Sequence, residues 1–570
     1  MEYSVLNPRG EADPVKTIGL QPRLSDLNNK TIGLFAWFKG HWVLILEEVA
    51  RQLQERYPNI KFTRFQYTKN LDSYNQVAEI AKDPEVRPLF EEWLSGVDAV
   101  ISANGDAGSC TLYLAYNTAL VELLGKPVVM LLNSEFEGIA RRAVSLRGVP
   151  AMRFVEINIP ELSNDRNIEP LLREFVPRRV SEALDGIIDA LTAPLTPAEK
   201  NPPVEKEDTS RIIFKGSLSE VNRYFYKNGL AYGMPVLPPT EEAVEEMLKG
   251  TDLPPDHVVA RIPPKMGKAT VEKIAINAVM AGCLPTYMPV LIAAVEALVD
   301  PRMWLEAYTC SCASWAPLLI VNGPIRKDLQ INSGAGVFSP YYKANAAIGH
   351  AVGLMIMNIG GIRHGIEDMG VFGHEGRFGM CIAEDEEASP WEPLHVYYGL
   401  NKEDSAVTVF WPNTRALGLY GKDVGGILKG ICDHIQVFGF DPGCAFVVCP
   451  ETARLLQENG YSRKDFIAYI VEYARRPAGG TSASISDFNM RWMIDNQHIP
   501  KDVPLPAEGT RSVRKFFSSM HLPVVVAGLN FSQGIAMYGG GGDHGGPITK
   551  KIQLPKNWEA LKAKYEEWNK

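Results

Sequence analysis

A chain of 570 residues is too long for one ordinary hydrophobic core and predicts two to four domains. Its 46% hydrophobic and 22% charged residues describe a soluble globular protein, and a net charge of −9 with no Lys/Arg-rich block argues against a nucleic-acid partner. The amino-terminal "MEYSVLNPRGEADPVK" lacks the apolar core of an export signal, and no stretch is long and apolar enough to span a bilayer, so a cytoplasmic protein without membrane contact is expected.

From about residue 30 the chain alternates strand-like and helix-like segments. "KTIGLFAWF" reads as a strand, "HWVLILEEVARQLQERY" as a helix, and "IKFTRFQY" and "VDAVISAN" as strands. "TLYLAYNTALVELLG" is helical with Gly125 as its C-terminal cap. "KPVVMLL" is a strand, and "GIARRAVSLRG" and "VSEALDGIIDALTA" are helices. This alternation predicts an α/β domain over 1–192, an open, mainly parallel sheet with flanking helices. Residues 193–210, rich in Pro, Lys and Glu, read as a linker.

The remainder, 211–570, reads as a larger α/β or α+β region, with two subdomains dividing near 415–440. "TVEKIAINAVMAGC", "YMPVLIAAVEALVD" and "ANAAIGHAVGLMIMNIGG" are predicted helices, the last one buried. "PLLIVNGPI", "FGMCIAED" and "AVTVFWP" are predicted strands. "CAFVVCPETARLLQENG" reads as strand then helix, "SRKDFIAYIVEYARR" as a helix, and "LPVVVAGLNFSQGIAMYGGGG" as strand, glycine-bearing turn and loop. No internal repeat of short period is evident.

Eight cysteines without a CxxC pair suggest reduced thiols, not a disulfide framework, a zinc ribbon or a thioredoxin-type motif. The stretch "GDAGSC" (105–110) falls where a strand gives way to a helix, at the edge where open α/β sheets bind ligands. Gly105 and Gly108 allow a tight turn, and with Asp106 and Ser109 they form a candidate binding loop for an anion at the helix amino end. The same helix end favours a thiolate, which makes Cys110 a candidate nucleophile. A purely structural reading carries equal weight: a glycine turn, Ser109 as helix cap and Cys110 as a small buried filler.

"GDAGSC" after a strand, together with "VLNPRG", resembles the amino-terminal domain of the UGSC-motif (seleno)protein family. The motif falls on Ala107-Gly108-Ser109-Cys110, and the family has selenocysteine or cysteine at the position of Ala107. "GLAYGMPVLPPTEEAVEEMLKGTD", "PLLIVNGPI" and "ASPWEPLHV" in the second half look like the same kind of protein, so the resemblance covers most of the chain. It implies redox or nucleophilic chemistry at the motif. Ala107 removes the first of the two reactive atoms and leaves Cys110 to work alone, a non-redox site, or a binding pocket; single-thiol chemistry ranks first.

Five other features bear on chemistry. Cys310 and Cys312, two apart before an apolar strand, would lie about 7 Å apart on one face of an extended backbone. They read as simple packing ahead of a soft-metal or redox pair. The polar stretch 363–396 holds His364 and His374, candidates for a divalent metal, the only cofactor suggested, and Glu392 and His395, candidates for acid–base work. His350 on an apolar helix reads as a core residue. Asn322 and Ser333 flank a glycine-bearing loop able to hold an anion, and the glycine run at 537–551 reads as a flap. The expected function is a thiol-dependent enzyme acting on a small anionic molecule in a pocket between the two regions, by redox or addition–elimination chemistry. The alternatives are a lyase forming or cleaving a carbon–heteroatom bond with His/Glu or metal assistance, and a non-catalytic small-anion binding protein. A homodimer is the expected assembly.

Overall fold

The computed structural model describes residues 1–36, 40–65, 78–105, 107–159, 168–203, 207–418, 423–435, 443–477, 512–514, 522–531, 533–540 and 546–569. The chain opens with β1 (Tyr3–Leu6), then β2 (Thr31–Ala36), α1 (Gly40–Arg56) and β3 (Lys61–Arg64). There follow α2 (Val86–Ser95), β4 (Ala99–Ala103), α3 (Gly108–Leu123), β5 (Val128–Leu132), α4 (Glu137–Ser145), β6 (Arg153–Glu156) and α5 (Ile168–Thr192). Strands β2 to β6 form one parallel sheet in the order β3-β2-β4-β5-β6. The central strands "AVISA" and "VVMLL" are buried at every residue, as the middle of a parallel sheet requires.

Helices cover both faces. Trp42, Ile45, Val49 and Leu53 of α1 pack with Val180, Ile187 and Leu191 of α5 on one side. Phe90 of α2, α3, and Ile139 and Val144 of α4 cover the other. The strand order reverses between β2 and β4, the crevice where doubly wound sheets take their ligands, and the loop from β4 to α3 opens there. The open parallel sheet with flanking helices is therefore as the sequence predicts. Two members of it were not anticipated: α2, a ten-residue helix carrying a proline, and β6, a four-residue edge strand without a fully apolar run.

Helix α3 is buried on all sides from Thr111 to Glu122, because it lies between the sheet and the second half of the chain. Leu112, Tyr113 and Tyr116 share one continuous core with Ile274, Leu305 and Cys310. β1 leaves the first sheet altogether and pairs antiparallel with β7 (Ile212–Gly216), beyond residues 193–210. β8 (Val258–Ile262) and β9 (Gly267–Thr270) form a small antiparallel ribbon.

The second half holds two four-stranded mixed sheets. The first comprises β10 (Leu318–Asn322), β11 (Met380–Ala383), β12 (Ala406–Phe410) and β19 (Ile548–Lys551), in the order β11-β10-β12-β19. The second comprises β13 (Pro412–Gly418), β14 (Cys444–Val448), β17 (Val524–Val526) and β18 (Ile535–Gly540), in the order β13-β18-β14-β17. Between β14 and β17 in sequence lies a short ribbon, β15 (Arg475–Pro477) with β16 (Ser512–Arg514). Alternation along β10 explains the layering. Leu318 and Ile320 meet Ala445, Val447 and Val525 of the other sheet, while Leu319 and Val321 face the helices Val271–Met280, Met288–Leu298 and Lys343–Asn358. The helices Val424–Ile435 and Arg463–Tyr473 cover the far side of the second sheet. The region is thus a four-layer α/β/β/α stack, the larger α/β region expected.

The two sheets repeat one plan. β10, the helix Lys343–Asn358, parallel β11 and antiparallel β12 match β14, two helices, parallel β17 and antiparallel β18. Each run then gives its next strand to the opposite sheet: β13 pairs with β18, and β19 pairs with β12. Among the described residues no helix is long and apolar enough to cross a membrane.

Candidate functional site

β4 ends at Ala103, and Asn104 and Gly105 carry the chain to the mouth of α3. A Cβ on Gly105 would lie 2.2 Å from Leu132 Cβ, so only glycine lets the loop lie flat against β5, where its carbonyl accepts from the Asn133 N–H at 3.0 Å. Asp106 lies outside the described residues. The cap of α3 is Ala107, in extended backbone and without a side-chain bond to the helix; Ser109 is the second helical residue and not the cap. Ser109 and Cys110 are both half-buried in the first turn. Asn104 is fully buried, and neither its amide oxygen nor its amide nitrogen has a hydrogen-bond partner among the described residues.

The second half closes this mouth. A Cβ on Gly108 would lie 1.8 Å from the Cys310 carbonyl oxygen and 3.0 Å from Met369 Cβ. The Gly108 N–H donates to Cys312 Sγ at 3.3 Å. Cys310 ends the helix Leu305–Cys310 and Ser311 turns to extended backbone, so the two cysteines do not sit on one extended face as their spacing predicted. Beside them Glu367, fully buried, accepts from Arg363 at 2.9 and 3.2 Å and pairs with Arg142 of α4 at 3.3 Å. That carboxylate joins the amino-terminal domain to the second half. Arg377 donates to the Trp315 carbonyl at 2.7 Å and pairs with Asp368 at 3.4 Å.

The thiols differ sharply in their surroundings. Burial pushes the Cys283 and Cys310 thiols far above the ordinary value, and those of Cys381 and Cys432 up to about 12. Cys110 and Cys312 are half-buried at a helix amino end, whose partial positive charge favours a thiolate.

A cavity of about 560 Å³ opens one turn further along α3, where Tyr113, Trp304, Met266, Glu79, Lys82 and Glu306 contribute to its wall. Burial raises the Glu306 carboxyl above its ordinary pKa of 4.5, against the attraction of Arg147, and the Tyr116 hydroxyl donates to it at 3.5 Å. An acid raised on folding favours the folded state below its unfolded pKa, and that contribution is lost as pH rises through the folded value. Glu306→Gln is therefore expected to raise Tm at pH 7 and to leave it unchanged at pH 4, read by differential scanning calorimetry. Equal shifts at the two pH values would contradict the assignment.

The remaining candidates lie elsewhere. Asn322 is buried at the carboxyl end of β10 and donates to Glu384 at 2.6 Å and Glu386 at 3.1 Å. Glu384 also accepts from the Leu394 N–H at 2.7 Å and from Arg463 at 2.6 Å. His395 is fully buried, neither ring nitrogen has a hydrogen-bond partner among the described residues, and Nδ1 stands 4.0 Å from Glu386 Oε1. The Glu392 side chain is exposed, and its backbone carbonyl accepts from Arg463. Ser333 offers its carbonyl to the Gly528 N–H at 2.8 Å. Cys312 precedes the start of β10 whereas Asn322 ends it, so the thiols and the Glu384–His395 cluster sit at opposite ends of the same strand.

His364 is exposed, and His374 Nδ1 accepts from the Gly376 N–H at 2.8 Å. Burial lowers the His374 pKa. Among the described residues no group of three or more His, Cys, Asp and Glu is arranged to hold a metal ion. His350 stacks on Phe378 with centroids 4.5 Å apart, and burial lowers its pKa to about 4, as for a neutral core residue. Residues 541–545 of the glycine run lie outside the described residues.

Sequence reasoning missed Asn104, the Arg142–Glu367 link and the place of Cys312. The one available signal for the last was its spacing from Cys310, and that pointed to the wrong partner. No curated protein matches the chain. The model of the UGSC family matches residues 4–193, the stretch that holds the parallel sheet and the amino end of α3. Over those residues, about a third of its length, the chain is similar to the UGSC family.

Proposed function

We propose that this protein is a thiol-dependent enzyme acting on a small anionic molecule at the amino end of α3, with Cys110 as nucleophile. One observation carries the reading: in the crevice where strand order reverses, the first N–H of α3 donates to sulfur, at 3.3 Å from Cys312 Sγ. A helix end that favours thiolate in this way lowers the pKa of a first-turn cysteine and makes it the attacking species. The buried, unpartnered amide of Asn104 supplies a donor for an anionic group or a developing oxyanion beside it.

The test is alkylation by iodoacetamide across a pH series, read by peptide mass mapping. Cys110 is expected to react with a midpoint below pH 8, faster than every buried cysteine, and Cys110→Ser should abolish that fast phase while leaving the circular dichroism spectrum unchanged. Slow, uniform labelling of all eight cysteines would overturn the reading in favour of a binding protein.

A further inference from the structure

We propose that Cys312 is the resolving thiol for Cys110, the two forming a reversible disulfide across the boundary between the amino-terminal domain and the second half, with a small carboxylate-bearing disulfide as substrate class. This rests on the reading of Cys110 as nucleophile. Cys283, Cys310, Cys381, Cys432 and Cys444 are buried, which leaves Cys110, Cys312 and Cys449 half-exposed. Cys449 belongs to another place, at the end of β14, its sulfur 3.2 Å from where a Cβ of Gly528 would sit. Cys110 and Cys312 share one mouth.

The geometry is specific. Cys312 Sγ is 3.3 Å from the Gly108 nitrogen, and Cys110 follows two residues on in the same first turn. The bond from Gly108 also stabilises a thiolate at position 312, the form that attacks a disulfide. Cys312 lies past the end of the helix Leu305–Cys310, in the turn that follows Ser311, so its sulfur can turn toward Cys110 without unwinding a helix. Asn104, buried at the end of β4 just before this turn, has an amide without a partner among the described residues, a donor for a substrate carboxylate once the crevice admits one.

The chemistry balances without a further oxidant. The Cys110 thiolate attacks one sulfur of the substrate, forms a mixed disulfide and releases the first thiolate. The Cys312 thiolate then attacks the Cys110 sulfur, forms the Cys110–Cys312 disulfide and releases the second. The substrate is reduced by two electrons and the protein dithiol is oxidised by two; an external dithiol reverses the protein step by the same exchange.

The probe is 5,5′-dithiobis(2-nitrobenzoate), a small disulfide bearing carboxylates, added at one equivalent to the full-length protein. Wild type is expected to release two thionitrobenzoates for each Cys110 that reacts, to retain no adduct there, and to yield a 110–312 cross-linked peptide. Cys312→Ser should release one and keep the other bound at Cys110. A wild-type protein that keeps the adduct at Cys110, with no cross-link, overturns the resolving role and leaves the nucleophile standing. No release attributable to Cys110, shown by identical traces for Cys110→Ser and wild type, overturns both.

Discussion

Gly108→Ala is expected to destabilise the protein by about 3 kcal/mol or more, although it adds a single methyl group to a helix. The added Cβ would lie 1.8 Å from the Cys310 carbonyl oxygen and 3.0 Å from its carbon. That oxygen is backbone at the end of a buried helix, so it cannot swing aside as a flexible side chain would. Overpacking a core ordinarily costs about 1–3 kcal/mol, and a clash with fixed backbone on both sides belongs at or above the upper end. The whole interface between α3 and the helix Leu305–Cys310 must open to relieve it. Gly138→Ala is the control: it lies at an exposed position of α4, no described atom stands within 4 Å of its Cβ position, and a gain of about 0.5–1 kcal/mol is expected. Denaturant midpoints for the two variants check the contrast. A wild-type midpoint for Gly108→Ala would mean that the second half does not press on α3 as described.

The elements that sequence made legible are those whose local pattern has one physical solution. "AVISA" and "VVMLL" are apolar at nearly every residue, a pattern that suits a strand buried on both faces, and both became central strands of the parallel sheet. The glycine turn into α3 was legible for the same reason. β18 was not: "IAMYGG" ends in glycines that signal a loop, yet it runs between β13 and β14 in the middle of its sheet. There Gly540 adopts φ +143° and a Cβ would lie 2.5 Å from Trp315, so the glycine that suggested a turn serves a close approach inside a strand.

The site was legible only on its amino-terminal side. Cys110, Gly108 and Ser109 are neighbours in sequence, and the helix that groups them is a local event. Cys312 reaches Gly108 across a separation of 204 residues, and no local periodicity encodes such a meeting. The same limit explains why His395 and Glu392 looked like partners of the thiol. Their polar, proline-flanked stretch has the chemistry of a site, but strand β11 carries it to the far end of the first mixed sheet. The duplication of the second half was hidden too, because its likeness is of topology and the two copies exchange their last strands.

Glu384→Ala should cost about 3–5 kcal/mol, the usual penalty for breaking a buried ion pair by removing one partner. Glu384 and Arg463 are almost wholly sealed, with side-chain exposures of 0% and 3%. Without the carboxylate, the Arg463 guanidinium, the Asn322 amide and the Leu394 N–H all lose an acceptor in a place water does not reach. The cluster also joins the two sheets, since β10 and the strand end after β11 belong to the first, while Arg463 opens a helix packed on the second. The penalty should therefore appear as a lower denaturant midpoint. Glu384→Gln combined with Arg463→Met removes both charges together, and a double-mutant cycle should recover much of the loss, the sign of a stranded charge and not of lost packing. Alkylation of Cys110 should proceed at the wild-type rate in the still-folded Glu384→Ala protein, because the thiols lie at the opposite end of β10. A variant that slowed that alkylation without unfolding would tie the two ends of the strand into one site.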